Sequence, residues 1–349
     1  MRTYHIETLD EIFRKTAQQH LDNLAKPVGS LGKLEGIARK IATIQNTLQP
    51  VLTHPHHILF AADHGIVDEG VSPSPKEITW QQAINITQNG AGINIFTQQH
   101  NFNLIVVDAG TDYDFPEEIN ILNRKIRKGT RNFLNEPALT PDEVNLALTY
   151  GEEIVDLVAS NGCNVLSIGE LGIGNTSVAS VWMSLLTKIP LQQCVGAGSG
   201  LSEEFTVRKY NILQQSIDRY KGPITPMTIM SEFGGLELIM AVGAMLRAAE
   251  LKMTILIDGF LMSNSLLMAS HINSEVEQYA IFSHKSEERG HSLLLEYLGV
   301  EPLLHLNFCL GEGTGAVCAY PLLESSVRMM NQMKSFEESQ ISLIPQQSC

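Results

Sequence analysis

Short apolar runs that each end in a glycine or a polar residue constrain this chain more than any other feature. Residues 58–62 run into Asp63-His64-Gly65, 104–107 into Asp108-Ala109-Gly110-Thr111, 165–168 into Gly169-Glu170, 255–257 into Asp258-Gly259, and 281–282 into Ser283-His284. Runs this short and this apolar read as strands buried on both faces. Helical spacing fills the intervals, around 143–159, 177–186, 203–220, 236–250 and 288–298. Strand alternating with helix specifies an α/β fold with a doubly wound parallel sheet, whose ligands bind beyond the carboxyl ends of the strands. Functional residues are therefore expected along one edge.

The two ends of the chain fall outside this alternation. Residues 9–48 have helical spacing broken at Pro27, Gly29 and Gly32, and a last helical stretch covers about 316–337. They are expected to pack together as a small helical domain, 1–50 with 316–349, beside a large α/β domain, 51–315. The tail after Glu338, with its Ser and Gln residues and Pro345, reads as flexible.

With 349 residues, 44% of them apolar, the chain can bury a sizeable core. Its net charge of −14 and the lack of a Lys/Arg cluster exclude a general nucleic-acid binder, so an anionic ligand must be held by helix N-termini and single lysines. No run approaches the roughly 20 apolar residues of a membrane span, and the reading is a soluble cytoplasmic protein with no membrane partner. Cys163, Cys194, Cys309, Cys318 and Cys349 form no Cys-x-x-Cys pair, which fits reduced thiols better than a disulfide framework. Cys309 alone could be reactive, although no histidine adjoins it.

Leu310-Gly-Glu-Gly-Thr-Gly-Ala316 sets Glu312 between Gly311 and Gly313, which presents a carboxylate to a closely approaching ligand, or is merely a surface turn. Gly169-Glu-Leu-Gly-Ile-Gly-Asn-Thr-Ser177 follows a strand and opens a helix. Gly172, Gly174, Asn175 and Thr176 can there offer backbone N–H groups to a phosphate, or make only a capped turn. A second cluster around Gly198 also precedes a helix, which carries Lys209 as a point charge for phosphate or as a solvated lysine. Asp63, His64, His284 and His291 raise a metal-dependent hydrolase as an alternative. They lack tight ligand spacing, and capping or orienting hydrogen bonds are the plainer reading. Gly234-Gly235 opens a helix rich in small residues, a signature of close helix packing.

Five ordered blocks resemble the nicotinate-nucleotide:dimethylbenzimidazole phosphoribosyltransferases. They are Lys-Pro-Val-Gly-Ser-Leu-Gly-Lys-Leu-Glu from Lys26, Ala-Asp-His-Gly-Ile-Val-Asp-Glu-Gly-Val from Ala62, Gly-Glu-Leu-Gly-Ile-Gly-Asn-Thr from Gly169, Asp-Gly-Phe from Asp258, and Leu-Gly-Glu-Gly-Thr-Gly-Ala from Leu310. The resemblance implies a Rossmann-like large domain and a small helical domain from both chain ends, in a homodimer that needs neither metal nor cofactor. It implies transfer of phosphoribosyl from nicotinate mononucleotide to 5,6-dimethylbenzimidazole or a related base, in cobalamin nucleotide-loop assembly. By the family pattern Glu312 is the general base and Glu170 a supporting residue. Ser74 and Gln82 lie near the aromatic base, and Lys209 near the nucleotide. Leu171, Ser177 and Cys309 stand where the family commonly has methionine, threonine and arginine. A non-catalytic nucleotide sensor is the alternative of a different class, against which intact Glu312 and Glu170 argue.

Overall fold

Seven consecutive buried residues, His56–Ala62 (β1), form the strand around which the sheet is laid out. The computed structural model describes residues 1–196 and 203–342. Beside β1 run Asn103–Gly110 (β2), Leu122–Asn123 (β3), Val165–Leu171 (β4), Thr254–Ile257 (β5) and Ala280–Phe282 (β6). All pairings are parallel and the order is β3-β2-β1-β4-β5-β6. A separate parallel pair, His284–Ser286 (β7) and Leu304–Phe308 (β8), extends the chain past β6. The order reverses direction between β1 and β4, which opens a crevice at the carboxyl ends of those strands.

Two helices, Glu11–Asp22 (α1) and Lys33–Gln45 (α2), precede the sheet. Ile78–Thr87 (α3) and Gly92–Gln99 (α4) join β1 to β2, and Pro141–Ser160 (α5) leads to β4. From β4 to β5 run Asn175–Thr187 (α6), Leu191–Cys194 (α7), Glu203–Arg219 (α8), Pro226–Phe233 (α9) and Leu236–Glu250 (α10). Phe260–Ile272 (α11) joins β5 to β6 and His291–Tyr297 (α12) joins β7 to β8. Thr314–Gln332 (α13) and Phe336–Ser339 (α14) follow. None of the described helices is long and apolar enough to cross a membrane.

The two-residue period of the strands sorts their side chains onto two helical layers. Ile58 and Phe60 of β1 join Val144 and Leu148 of α5 and Ile239 and Met240 of α10 in one core. Leu59 between them joins Ile41 of α2, Ile93 of α4, and Val317 and Tyr320 of α13 in another. These are the two covered faces of a doubly wound sheet. A third cluster unites the chain ends, with Ala17 and Leu21 of α1, Ala38 and Ala42 of α2, and Met330 of α13. An antiparallel bridge from Leu24 to Ser335 adds to it. The long helix α13 thus packs on the sheet with its first half and on α1 and α2 with its last turns.

Five strands match the apolar runs, and α10 occupies 236–250 as its spacing implies. Helices α3, α4, α9 and α11 were not anticipated. The first two are short, and α11 is buried nearly all round, so that no amphipathic stripe marks it. The start of α5 at Pro141 is explained by its cap: Thr140 Oγ1 accepts from Glu143 N at 3.2 Å, while Thr140 N donates to Glu143 Oε2 at 2.7 Å.

The small residues of α10 do bring its backbone close to α5. A methyl group on Gly243 would stand 2.8 Å from Leu148 Cα, and one on Gly151 would stand 2.9 Å from Ala244 N. Neither helix can give way without disturbing the sheet beneath. Gly243→Ala is expected to lower stability by about 1–3 kcal/mol through overpacking, read as a fall in the urea midpoint with little change in slope.

Candidate active site

The crevice at the sheet reversal contains a cavity of about 370 Å³ lined by residues from β4, α3, α6, the start of α11, β7 and the loop before α13. Gln82, Glu170, Asn175, Asp258, His284 and Glu312 supply its polar groups, and Ile78, Leu171, Ile173, Leu261 and Leu310 its apolar wall. A second cavity of about 220 Å³ adjoins it, lined by Ser74, Gly174 and Lys209 among others. Thr176, Glu288 and Cys309 line both.

Glu312 is held at both ends. Its backbone takes φ 64°, a left-handed conformation costly for a residue with a Cβ, and Gly313 follows at φ 77°. Below, the Glu312 carbonyl accepts from His57 Nε2 at 2.8 Å. Above, Gln82 Nε2 donates to Glu312 Oε1 at 2.6 Å, and Gln82 Oε1 accepts in turn from Asn85 Nδ2 at 3.2 Å. The other carboxylate oxygen, Oε2, is buried and receives no hydrogen bond among the described residues. Burial raises the pKa of Glu312, opposed by the bond from Gln82 and the nearby Ile93 N–H. A carboxylate at the edge of a cavity with one oxygen anchored and the other unpartnered has the capacity to accept a proton.

Two further carboxyls share the crevice. Glu170, at the end of β4, is pushed up to about 8 by burial and the like charge of Glu237. It accepts a very short hydrogen bond from Asn175 Nδ2. At neutral pH its protonated form predominates, so it can donate as well as accept. Asp258, at the end of β5, caps α13: its Oδ1 accepts from Ala316 N at 2.9 Å, and the N–H groups of Gly259, Gly313 and Gly315 also turn towards it. Burial still pushes it up to about 7. His284 Nδ1 stands 3.3 Å from the same oxygen, and burial pushes this histidine down to about 4, so it is neutral.

The smaller cavity sets a cation, Lys209, beside two carboxyl groups, Glu287 and Glu288. Lys209 of α8 is buried and donates to Thr176 Oγ1 at 2.8 Å, with its pKa drawn down to about 8 by burial. The first turn of α6 opens at Gly174, φ 93°, without a side-chain cap among the described residues, which leaves helix N–H groups for an anion. A cation and a helix N-terminus therefore converge on Thr176.

The structure brings Gln82, Glu170, Gly172, Asn175, Thr176, Gly311 and Glu312 to the larger cavity, and Ser74, Gly174, Thr176 and Lys209 to the smaller. Ser74 thus lines the same cavity as Lys209, next to the one that holds Gln82. Gly313 lines neither; it packs on His57 and Gly169 beneath the loop. Gly198 lies outside the described residues. The four residues of the hydrolase alternative do not converge, since the strands ending in His64 and preceding His284 are separated by β4 and β5. His64 Nε2 pairs with Glu237 Oε1 at 2.7 Å, Asp63 Oδ2 accepts from Asp112 N at 2.7 Å, and His291 Nδ1 accepts from Ser286 N at 2.9 Å. Among the described residues no three His, Cys, Asp or Glu side chains are grouped to hold a metal ion. Sequence reasoning overlooked His57, Glu237 and the capping role of Asp258. For Asp258 the signal was available, because it ends its strand as Glu170 does.

Comparison with known proteins agrees with this geometry. The family model described as phosphoribosyltransferase (DBI_PRT) matches residues 6–341. The nicotinate-nucleotide–dimethylbenzimidazole phosphoribosyltransferase of Phocaeicola vulgatus is 54% identical over 342 residues, covering 98% of this chain and 99% of its own. That of Parabacteroides distasonis is 51% identical over 343 residues with the same coverage. A crystal structure of the enzyme of that name from Thermus thermophilus superposes with a TM-score of 0.91 at 35% identity, covering 96% of this chain and 100% of the other. The chain belongs to this phosphoribosyltransferase family.

Proposed function

We propose that this protein transfers the 5-phosphoribosyl group of nicotinate mononucleotide to 5,6-dimethylbenzimidazole or a related base. The products are α-ribazole 5′-phosphate and nicotinate, for the nucleotide loop of cobalamin. Beyond the family relationship, one observation carries the reading: Glu312 lines the crevice with one carboxylate oxygen anchored by Gln82 and the other buried without a hydrogen bond among the described residues. The phosphate sits at Lys209 and the first turn of α6, and the flat base lies along Ile78, Ile173 and Leu310 in reach of Glu312.

Nicotinate linked through its ring nitrogen is a cationic pyridinium, already a good leaving group. What remains is positioning, charge stabilisation and base catalysis. The lone-pair nitrogen of the benzimidazole attacks the anomeric carbon from the side opposite nicotinate, which inverts the β-nucleotide to the α-anomer. Glu312 Oε2 takes the proton from the other ring nitrogen, so no cation accumulates on the product. Positive charge grows on the ribose as nicotinate departs, and the carboxyl groups around the crevice favour it. Glu170, largely protonated, donates a hydrogen bond to substrate while Asn175 fixes its orientation.

The same reading assigns residues 1–50 with 316–349 to a small helical domain and 51–315 to the large one, supported by the apolar cluster the chain ends share. It makes the working unit a homodimer in the cytoplasm, testable by light scattering and cell fractionation.

Incubation with nicotinate mononucleotide and a panel of bases, with the product anomer assigned by NMR, tests the reaction directly; tight binding without turnover would overturn it. Glu312→Gln is expected to lower kcat by about 10²–10⁴-fold while nucleotide affinity changes little, and near-normal turnover would remove Glu312 as the base. The pH profile of kcat/KM should be bell-shaped. Glu312 must be ionised, so the acid limb stands above the ordinary glutamate value of about 4.3, and activity is lost as pH falls through it. Lys209 must be charged, so nucleotide capture weakens as pH rises through about 8. Lys209→Arg is expected to keep nucleotide affinity constant through this range, because a guanidinium keeps its charge, and to leave in kcat the alkaline limb set by loss of the Glu170 proton at about 8.

A further inference from the structure

We propose that His57 is a positioning residue for Glu312, acting through the main chain of the catalytic loop. The proposal rests on the reading of Glu312 as the general base. His57 is fully buried in β1, on the sheet face that α13 covers, with both ring nitrogens engaged. Nε2–H donates to the Glu312 carbonyl at 2.8 Å, and Nδ1 accepts from the Ser167 hydroxyl at 2.9 Å. Because a carbonyl can only accept, the bond to Glu312 fixes the tautomer with its proton on Nε2, and the Ser167 hydroxyl, donating to Nδ1, steadies the ring. Burial, which draws the imidazole down to about 4, keeps it neutral at working pH.

The partners are aligned by the backbone itself. Parallel pairing sets His57 opposite Ser167 in register, and two residues on, Gly169 forms the floor beneath the loop. A methyl group on Gly169 would stand 2.6 Å from Glu312 C and 2.8 Å from Gly313 N, so the Glu312–Gly313 peptide lies directly on the strand. Glu312 is at φ 64°, which a non-glycine residue leaves readily unless held. In this conformation the carbonyl faces His57 while the side chain reaches Gln82 and the cavity. Turning the peptide out of the left-handed region lifts the carbonyl from His57 and swings the carboxylate from its post. The bond from His57 therefore bears on where the proton acceptor stands, without touching substrate.

A bond that merely satisfied a buried carbonyl would affect folding and leave the chemistry of folded molecules alone, and kinetics separate the two. His57→Met removes the donor at similar volume; His57→Gln keeps an N–H within reach; Ser167→Ala removes the partner of Nδ1 that steadies the ring. Each is measured for kcat, KM for nicotinate mononucleotide and Tm, and His57→Met is also combined with Glu312→Gln. His57→Met is expected to lower kcat by about 10–100-fold, the scale of a misplacement near 1 Å, with KM within about twofold and most of the loss restored in His57→Gln. In the Glu312→Gln background the same change should alter residual turnover less than about twofold, since the two residues act as one unit. An equal loss in both backgrounds, or unchanged kcat in His57→Met, overturns the role of His57. Should His57→Met fail to fold, Ser167→Ala decides: a fall in kcat of a few fold at unchanged KM supports the proposal, and unchanged kcat overturns it. Wild-type turnover in Glu312→Gln alone would instead overturn the general-base reading.

Discussion

The parallel pairing of β1 with β4 is the constraint on which the rest of the structure depends. The chain winds one way from β1 to β2 and the other way from β4 to β5, so connecting segments diverge and leave a crevice that side chains and ligand must fill. Register then decides what enters it. Phe60 stands opposite Glu170 and His57 opposite Ser167, and a slip of one residue would turn each of these side chains to the wrong face. The side chains of β1 that hold this register fill the two covering cores from its two faces. Stability of the sheet and placement of the chemistry are thus specified by the same residues.

Within the crevice the governing quantity is charge density. Glu170, Asp258 and Glu312 line one cavity, and Glu237 is buried behind them with His64. Two unit charges 4 Å apart at an effective dielectric of 20 interact by about 4 kcal/mol, so full ionisation of such a group is resisted. Protons remain on Glu170 and, in part, on Asp258 near neutrality. A single region therefore offers both a proton acceptor and a proton donor. The acidic lining suits an electron-poor pyridinium and a ribose gaining positive charge. Lys209 and the start of α6 bring a cation and free helix N–H groups to the adjoining cavity, beside Glu287 and Glu288.

Much of this was legible because it is local. Strands announced themselves as apolar runs, and their carboxyl ends carried Glu170 and Asp258 in plain view. Glu312 stood out between glycines, and the five blocks of family resemblance gave it a role. What escaped depended on distant pairing. His57 looks like the polar edge of an apolar run, and its partner Glu312 is 255 residues away. Glu237 reads as an ordinary acid in the first turn of a helix until His64 meets it across 173 residues. Helix α11 hid for the opposite reason: burial on nearly every side erases the period that betrays a helix.

Helix α13 begins two residues after Glu312 and ends against α1 and α2, so the catalytic loop is attached to a part of the protein made last and docked onto a part made first. During synthesis, the sheet strands β1 to β6 and the first turn of α6, the proposed phosphate site, all emerge before Glu312, the proposed base. The contacts that seat α13 are among the longest in sequence, and closing them is slow compared with forming local helices. A growing chain can therefore acquire a place for nucleotide phosphate well before it can react with anything. Assembly order keeps capture and turnover apart until the molecule is whole.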